Sequence, residues 1–311
     1  MKVSVVVCSY SLDRYHYLLQ TIQSLRDQVF PITEIVVVVD KNESLYRQLA
    51  SDAKLYNWSN VKLIFNKALK GVSHARNIGI METNSDIVAL IDDDAMADPS
   101  WTQTIVASFT EDERIGAITG SIVPRWESDG AWLPNELYWM ISCSYIKATT
   151  THEVERSFGT NMAFRRAVLD QIGLFDERLG LQGKKWIGGE DTELAWRAKQ
   201  AGFKILCNPD VKVFHAIPAK RLEFNALLKR AFVGGMSEEL MIRVIGHRVS
   251  PHTRRSYLST LLFEFFPRRI REAIVHRSRI ALSQALLVGI IVVFWGFGFC
   301  FGYITYTRPR A

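Results

Sequence analysis

The sequence predicts an α/β fold, a mostly parallel sheet with flanking helices, followed by one C-terminal helix long enough to cross a bilayer. Three observations carry that expectation. Valine-rich runs alternate with amphipathic stretches through the N-terminal third of the chain, and strands alternating with helices build βαβ units with parallel strands. Each valine-rich run is apolar along its whole length, as in strands buried on both faces. Between Arg279 and Arg308 there is no Asp, Glu, Lys or Arg, and a helix needs roughly 20 apolar residues to span hydrocarbon.

Taken in order, residues 2–9 (KVSVVVCS) read as the first strand. Leu18, Leu19, Ile22 and Leu25 recur at helical spacing within 18–28. Residues 34–40 form a second strand, 44–56 a helix, 61–65 a third strand and 73–82 a helix entered from Gly71. Residues 87–92 are a fourth strand, and Pro99-Ser100 start another helix through Phe109. In parallel sheets ligands bind beyond the carboxyl ends of the strands. That rule singles out Cys8–Tyr10, Asp40 and the run Asp92, Asp93, Asp94. The section 121–156 is rich in Trp and Tyr and has no clear period; its aromatic part, 126–145, suits either sugar stacking or core.

The 311 residues allow one large domain plus an appendage. At 48% hydrophobic the chain has material for a substantial core. The net charge of +6 matters less than its distribution. Basic residues crowd 220–279, from Lys220 and Arg221 through Arg248, Arg254 and Arg255 to Arg268, Arg269, Arg271 and Arg277. A basic stretch before an apolar span marks the cytoplasmic side and attracts anionic headgroups. No recognised nucleic-acid motif accompanies it, so no nucleic-acid partner is expected. Cys8, Cys143, Cys207 and Cys300 are scattered and form no CxxC pair, which fits a reduced compartment. The expected organisation is a domain over 1–220, a basic juxtamembrane helical region over 221–279 and a transmembrane helix over 280–304. That places a single-pass protein in the cell membrane with its large domain in the cytosol.

Three adjacent carboxylates repel one another and persist together only if solvated or neutralised by a cation. Carboxylate oxygens suit hard cations such as Mg²⁺ or Mn²⁺, which in turn bind diphosphates. A helix N-cap region or a solvated loop would explain the run as well; its place at a strand end favours the cation.

With these residues in view, the sequence resembles family 2 glycosyltransferases of the GT-A fold across roughly residues 2–217. VSVVVCSY is similar to the opening strand and donor loop, EIVVVVD to the second strand, and GVSHARNIG to G-x-x-x-A-R-N-x-G. LIDDDA is similar to the D-x-D element. GTNMAFRR, GLFDERL, GGEDTELAWRAKQAGFKI and VKVFHA are similar to the acceptor half. The resemblance implies that Ser9, Tyr10 and Asp40 hold the nucleoside and that Arg76 supports the diphosphate. Asp92, Asp93 and Asp94 would face the nucleotide sugar. Asp94, ahead of Asp92, would be the direct metal ligand, with His215 as a further one. Asp191 would be the catalytic base, with Glu190 beside it and Asn161 also on the acceptor side. Read alone, Glu190 and Asp191 also fit first-turn acids that complement a helix dipole, His215 a structural histidine, Arg76 a surface helix residue and Asp40 a turn residue.

The implied enzyme is inverting and uses Mn²⁺ or Mg²⁺. A hydroxyl needs a general base where a lipid phosphate does not, so the Glu190–Asp191 pair favours a hydroxyl acceptor. The chain lacks the Q-x-x-R-W of processive synthases. The expected partners are a nucleotide-sugar donor, a lipid-linked sugar acceptor and the membrane. The layout is similar to archaeal glucuronosyltransferases acting on dolichyl-phosphate-linked hexose, which implies a UDP-sugar donor, with Arg125 and Arg165 as candidate uronate partners. Two alternatives are a transferase of cell-surface polysaccharide assembly and a non-catalytic sugar-nucleotide-binding scaffold. A nucleotidyltransferase would usually carry a glycine- and lysine-rich N-terminal phosphate loop, which CSYSLDRYH is not.

Overall fold

The computed structural model describes residues 1–68, 71–130, 132–144, 149–182, 185–245 and 260–307. The chain forms two compact units, one of Met1–Arg125, Ile146–Trp186 and Glu190–Ala216, the other of Trp126–Tyr145, Ile187–Gly189 and Ile217–Ala311.

The first unit opens with β1 (Val3–Ser9), α1 (Tyr15–Arg26), β2 (Glu34–Asp40), α2 (Glu43–Leu55), β3 (Val61–Asn66), α3 (Val72–Met81) and β4 (Ile87–Asp92). Their order is that of the sequence reading, with ends displaced by a few residues. β1 pairs in parallel with both β2 and β4, and β2 with β3. The valines of β1 and β2 are almost wholly buried, because helices cover both faces of such a sheet and β-branched side chains pack well on its pleat. α1 buries Leu18, Ile22 and Leu25, one stripe at helical period. The register sets Cys8 beside Asp92, Ser9 beside Val39 and Asp40 beside Asn66. The carboxyl ends of these four strands therefore share one edge.

Beyond β4 the sheet turns antiparallel. The chain continues through β5 (Ala95–Ala97), α4 (Trp101–Glu111), β6 (Ile115–Trp126), β7 (His152–Glu153), β8 (Asn161–Arg165) and α5 (Arg166–Ile172). It ends with β9 (Gly180–Gln182), β10 (Lys185–Ile187), α6 (Glu190–Gln200) and β11 (Lys204–Ile217). The strand order is β3-β2-β1-β4-β8-β6-β11-β5, with β7 also on β11. β8 runs antiparallel to β4 and β6, and β5 pairs antiparallel with β11, Ala95 opposite His215. This second half was not readable as strands, because its strands are short or alternate in burial and carry polar residues that serve the edge.

In the second unit the aromatic section contributes core: Leu133, Leu137, Met140 and Ile141 are buried, and Trp126 meets Tyr138 edge-on at 5.7 Å. Tyr145 lies outside the described residues. Helices α7 (Phe224–Ile245), α8 (Phe266–Val275) and α9 (Arg279–Thr307) follow. Arg248, Arg254 and Arg255 lie outside the described residues, as do Arg308 and Arg310. α7 and α9 approach closely at glycines: a Cβ on Gly235 would fall 2.0 Å from the Trp295 carbonyl, and one on Gly298 1.8 Å from that of Phe232. Small residues allow this approach between apolar helices. Over Arg279–Thr305, α9 is long and apolar enough to cross a membrane. Its exposed face carries Leu282, Leu286, Val293, Phe297 and Phe301.

Candidate active site

β4 ends in Asp92, and the chain turns through Asp93 and Asp94 into β5. The turn is fastened by its backbone. Thr21 Oγ1 donates to the Asp93 carbonyl at 3.1 Å, and the Ala216 N–H donates to that of Asp94 at 2.9 Å. The second bond follows from β5–β11 pairing, which brings His215 beside the run. His215 Nε2 lies 3.0 Å from Asp94 Oδ1. One ligand atom each from Asp92, Asp94 and His215 lie within 4.8 Å of one another.

Asp93 and Asp94 are nearly solvent-free, at 2% and 3% exposure, so their charges need partners. Arg14, just before α1, pairs with Asp93 at 2.8 Å and also with Asp94. Ser9 Oγ donates to Asp93 at 2.5 Å. Burial still pushes the Asp93 carboxyl up to about 7; Arg14 and Ser9 oppose the rise and Asp94 adds to it. Asp92 is less buried and accepts from Thr160 Oγ1 at 2.6 Å and from Arg76 Nη2 at 3.3 Å.

Arg76, on α3, joins this run to the second pair of acids. Its Nη1 donates to Glu190 Oε1 at 2.8 Å. Burial opposes its charge, yet Glu190 and Asp92 outweigh that and hold the guanidinium above its ordinary range. Burial, then the neighbouring Asp191, raise Glu190 above the usual carboxylate range. Asp191 is treated differently. Its Oδ2 accepts from the Gly159 N–H at 2.8 Å and its Oδ1 from the Thr192 N–H at 2.7 Å. Among the described residues it forms no ion pair. Gly159 and Thr160, adjacent in the chain, thus hold Asp191 and Asp92 respectively. A Cβ at Gly159 would lie 2.5 Å from Arg76 Nη2, so a larger residue there displaces the guanidinium.

Of the remaining sequence candidates, Asp40 sits half-buried at the end of β2 and accepts from Asn66 Nδ2 at 2.7 Å. Burial raises its carboxyl, against the Asn66 bond. Tyr10 is 61% exposed, with the Arg14 guanidinium 5.9 Å from its ring centre. Asn161 is fully buried; its amide takes a bond from Trp101 Nε1 at 2.9 Å and donates to the carbonyls of Val211 and Ser121. Those bonds knit β8 to its neighbours. Arg165 spends its guanidinium on the carbonyls of Phe109, Asp112 and Ile115, while Arg125 donates to Met96 Sδ and Gln20 Oε1. Sequence reasoning missed Arg14, Gly159 and Thr160. Arg14 left a signal as a basic residue in the loop directly after the first strand, and Gly159 and Thr160 open the GTNMAFRR segment without marking their own roles.

The family model of glycosyl transferase family 2 matches residues 4–173. The chain belongs to that family. The motif resemblance is borne out, and this family 2 glycosyltransferase is an enzyme. It is 30% identical over 309 residues, 98% of this chain and 97% of the relative, to the glucosyl-dolichyl phosphate glucuronosyltransferase of Haloferax volcanii. Among solved structures it is similar to the mannosyltransferase PcManGT from Pyrobaculum calidifontis in complex with GDP-Man and Mn²⁺. That likeness has a TM-score of 0.65 at 16% identity, over 99% of this chain and 88% of the other. It is also similar to GalNAc-T7 with UDP, GalNAc and Mn²⁺, with a TM-score of 0.55 at 18% identity, over 90% of this chain and 59% of the other. These neighbours share its GT-A fold, the architecture expected from the sequence.

Proposed function

We propose that this glycosyltransferase is inverting and metal-dependent, moving one sugar from a UDP-sugar to a hydroxyl of a membrane-held sugar on polyprenyl or dolichyl phosphate. Its specific form is glucuronosyl transfer in N-glycan assembly. The observation that carries the reading is the convergence of Asp92 and Asp191 on the adjacent residues Thr160 and Gly159. One face of the site concentrates carboxylates and an imidazole; on the other, Asp191 forms no ion pair among the described residues. The full-length likeness to the Haloferax volcanii enzyme supports the donor and acceptor classes.

The donor set fits a divalent cation: two carboxylates take a hard ion, and the imidazole suits a transition metal such as Mn²⁺. Held by Asp92, Asp94 and His215, the ion supplies charge stabilisation for the departing diphosphate. Ser9, Tyr10 and Asp40 line the strand edge and hold the nucleoside, with Arg76 at the diphosphate. Asp191 accepts the proton of the acceptor hydroxyl, whose oxygen forms the new bond to the anomeric carbon. The bond from that carbon to the diphosphate breaks, its electron pair leaves with UDP, and the configuration inverts. Residues 1–220 form the catalytic domain on the cytosolic side, 221–279 the basic juxtamembrane region, and 280–304 a single span.

The test is incubation with a panel of radiolabelled UDP-sugars and membrane lipid extract, with and without EDTA. Label entering lipid only with free Mn²⁺ or Mg²⁺ is expected; no transfer or donor hydrolysis under any metal overturns the reading. Protease added to intact cells should leave the N-terminal domain whole, and cleavage there reverses the topology.

A further inference from the structure

We infer that α8 is an interfacial helix that rests on an anionic lipid surface, its Ile274–Val275 side entering the headgroup–acyl boundary. The inference deepens the proposed membrane anchoring and rests on α9 being the membrane segment. Its own observations concern α8. Pro267, Arg271, Ile274 and Val275 follow one another at i, i+4, i+7 and i+8, one face of a helix. That face is exposed, Ile274 at 73% and Val275 at 63%, and Phe263, one turn earlier, is 77% exposed. Side chains of this kind gain by leaving water. Beside them lies an open cleft of about 420 Å³, walled by Phe266, Pro267, Ile270, Ile274 and Val275 with one guanidinium, that of Arg271.

The charges say what covers this face. Arg268 is paired with Glu136 and Arg269 with Glu272, at 2.7 and 2.8 Å. Arg271, Arg277 and Arg279 are exposed, and among the described residues no acid pairs with them. Three unneutralised guanidiniums beside exposed Ile and Val are the composition of a helix lying in a membrane interface, where anionic headgroups balance the charge and acyl chains cover the apolar side. A lipid surface covers both at once, headgroups meeting the arginines and acyl chains the aliphatics. Position agrees. Arg277 adopts a φ of +49° and ends the helical run, and Arg279 then opens the apolar helix. Phe266, which opens α8, lies 3.9 Å from where a Cβ on Gly289 would stand, and Val275, which ends it, precedes Arg279 by four residues, so α8 folds back beside the first turns of α9 and its Ile274–Val275 end lies level with the start of the apolar helix.

The test uses the full chain in vesicles of phosphatidylcholine, with and without phosphatidylglycerol. Cys300 is the exposed native thiol, so Cys300→Ser is the background for a nitroxide on Ile274→Cys. Val293→Cys serves as the control within α9 and Leu55→Cys as the control in water. Collision with oxygen and with a water-soluble nickel chelate is read by electron paramagnetic resonance. In phosphatidylglycerol vesicles the label at 274 should meet nickel several-fold less than that at 55 and sit shallower than that at 293. Without phosphatidylglycerol, nickel should regain access to 274. A label at 274 as open to nickel as that at 55, with 293 dry, overturns the inference and leaves the span standing. Nickel access at both 274 and 293 overturns the span itself. A label at 274 shielded from both reagents points to a protein neighbour, a second copy included, and also overturns it. Equal shielding with and without phosphatidylglycerol overturns the part assigned to anionic lipid.

Discussion

The two acidic ends of the site are neutralised in opposite ways. Asp93 and Asp94 are buried and held by a side-chain cation, Arg14, with His215 Nε2 at Oδ1 of Asp94. Asp191 is half-buried and, among the described residues, is held by the N–H groups of Gly159 and Thr192 and the Thr192 hydroxyl, with no ion pair. The nearby cation, Arg76, is turned to Glu190 and Asp92. A carboxylate locked in an ion pair is a poor proton acceptor, whereas one oriented by amides keeps lone pairs for a hydroxyl. The proposed division, charge-holding at one end and proton transfer at the other, rests on this difference.

Separating the two ends gives the largest effect. Asp191→Asn should lower transfer by about 10²–10⁴-fold, the usual contribution of a general base, while Mn²⁺ binding by calorimetry is unchanged. Asp94→Asn should lose both. Equal loss of Mn²⁺ binding in the two variants would erase the distinction. Next in size is Gly159→Ala, which drives a methyl against Arg76 and disturbs the residue that orients Asp191. Initial rates should fall about 10–100-fold, as for a misplacement on the ångström scale.

Arg14→Gln then tests whether the cation on the acidic run is structural. Removing one partner of a part-buried pair leaves carboxylates crowded, so the metal-free protein should lose about 2–4 kcal/mol in denaturant unfolding. Mn²⁺ should restore more of this variant's stability than it adds to the parent. A variant equally stable without metal would mean that the run needs no internal cation. The last test is of pH. Asp93 titrates near 7 in the fold and near the ordinary carboxylate value of about 3.9 in the unfolded chain. Between those values the folded protein holds a proton that the unfolded chain has lost, so metal-free stability falls as pH rises across that window. Asp93→Asn should flatten the slope in melts taken across it.

The parallel half of the fold was legible because burial on both faces writes itself as unbroken valine, and the aspartates stood out because they interrupt that pattern at a strand end. The antiparallel half was opaque. β8 and β5 are short, and Asn161 lies in an acceptor-side motif although its amide is consumed by Trp101, Val211 and Ser121. A motif specifies which residues travel together, not whether each faces ligand or core. Gly159 and Thr160 act through one N–H and one hydroxyl, contacts that leave no compositional trace. Arg14 was passed over because a lone arginine near a turn usually points to water; only the burial of Asp93 and Asp94 gives it a task.

The imidazole that joins the aspartates lies 121 residues downstream of Asp94, on the last strand before the second unit's helices. A ribosome-bound chain that has not yet emerged to residue 215 has the acids without the histidine. On the proposed chemistry the donor site is therefore finished late in translation, shortly before the apolar C-terminal helix is made. On that proposal, fragments shorter than this carry no completed site with which to hydrolyse nucleotide sugar, and activity arises only in nearly complete chains.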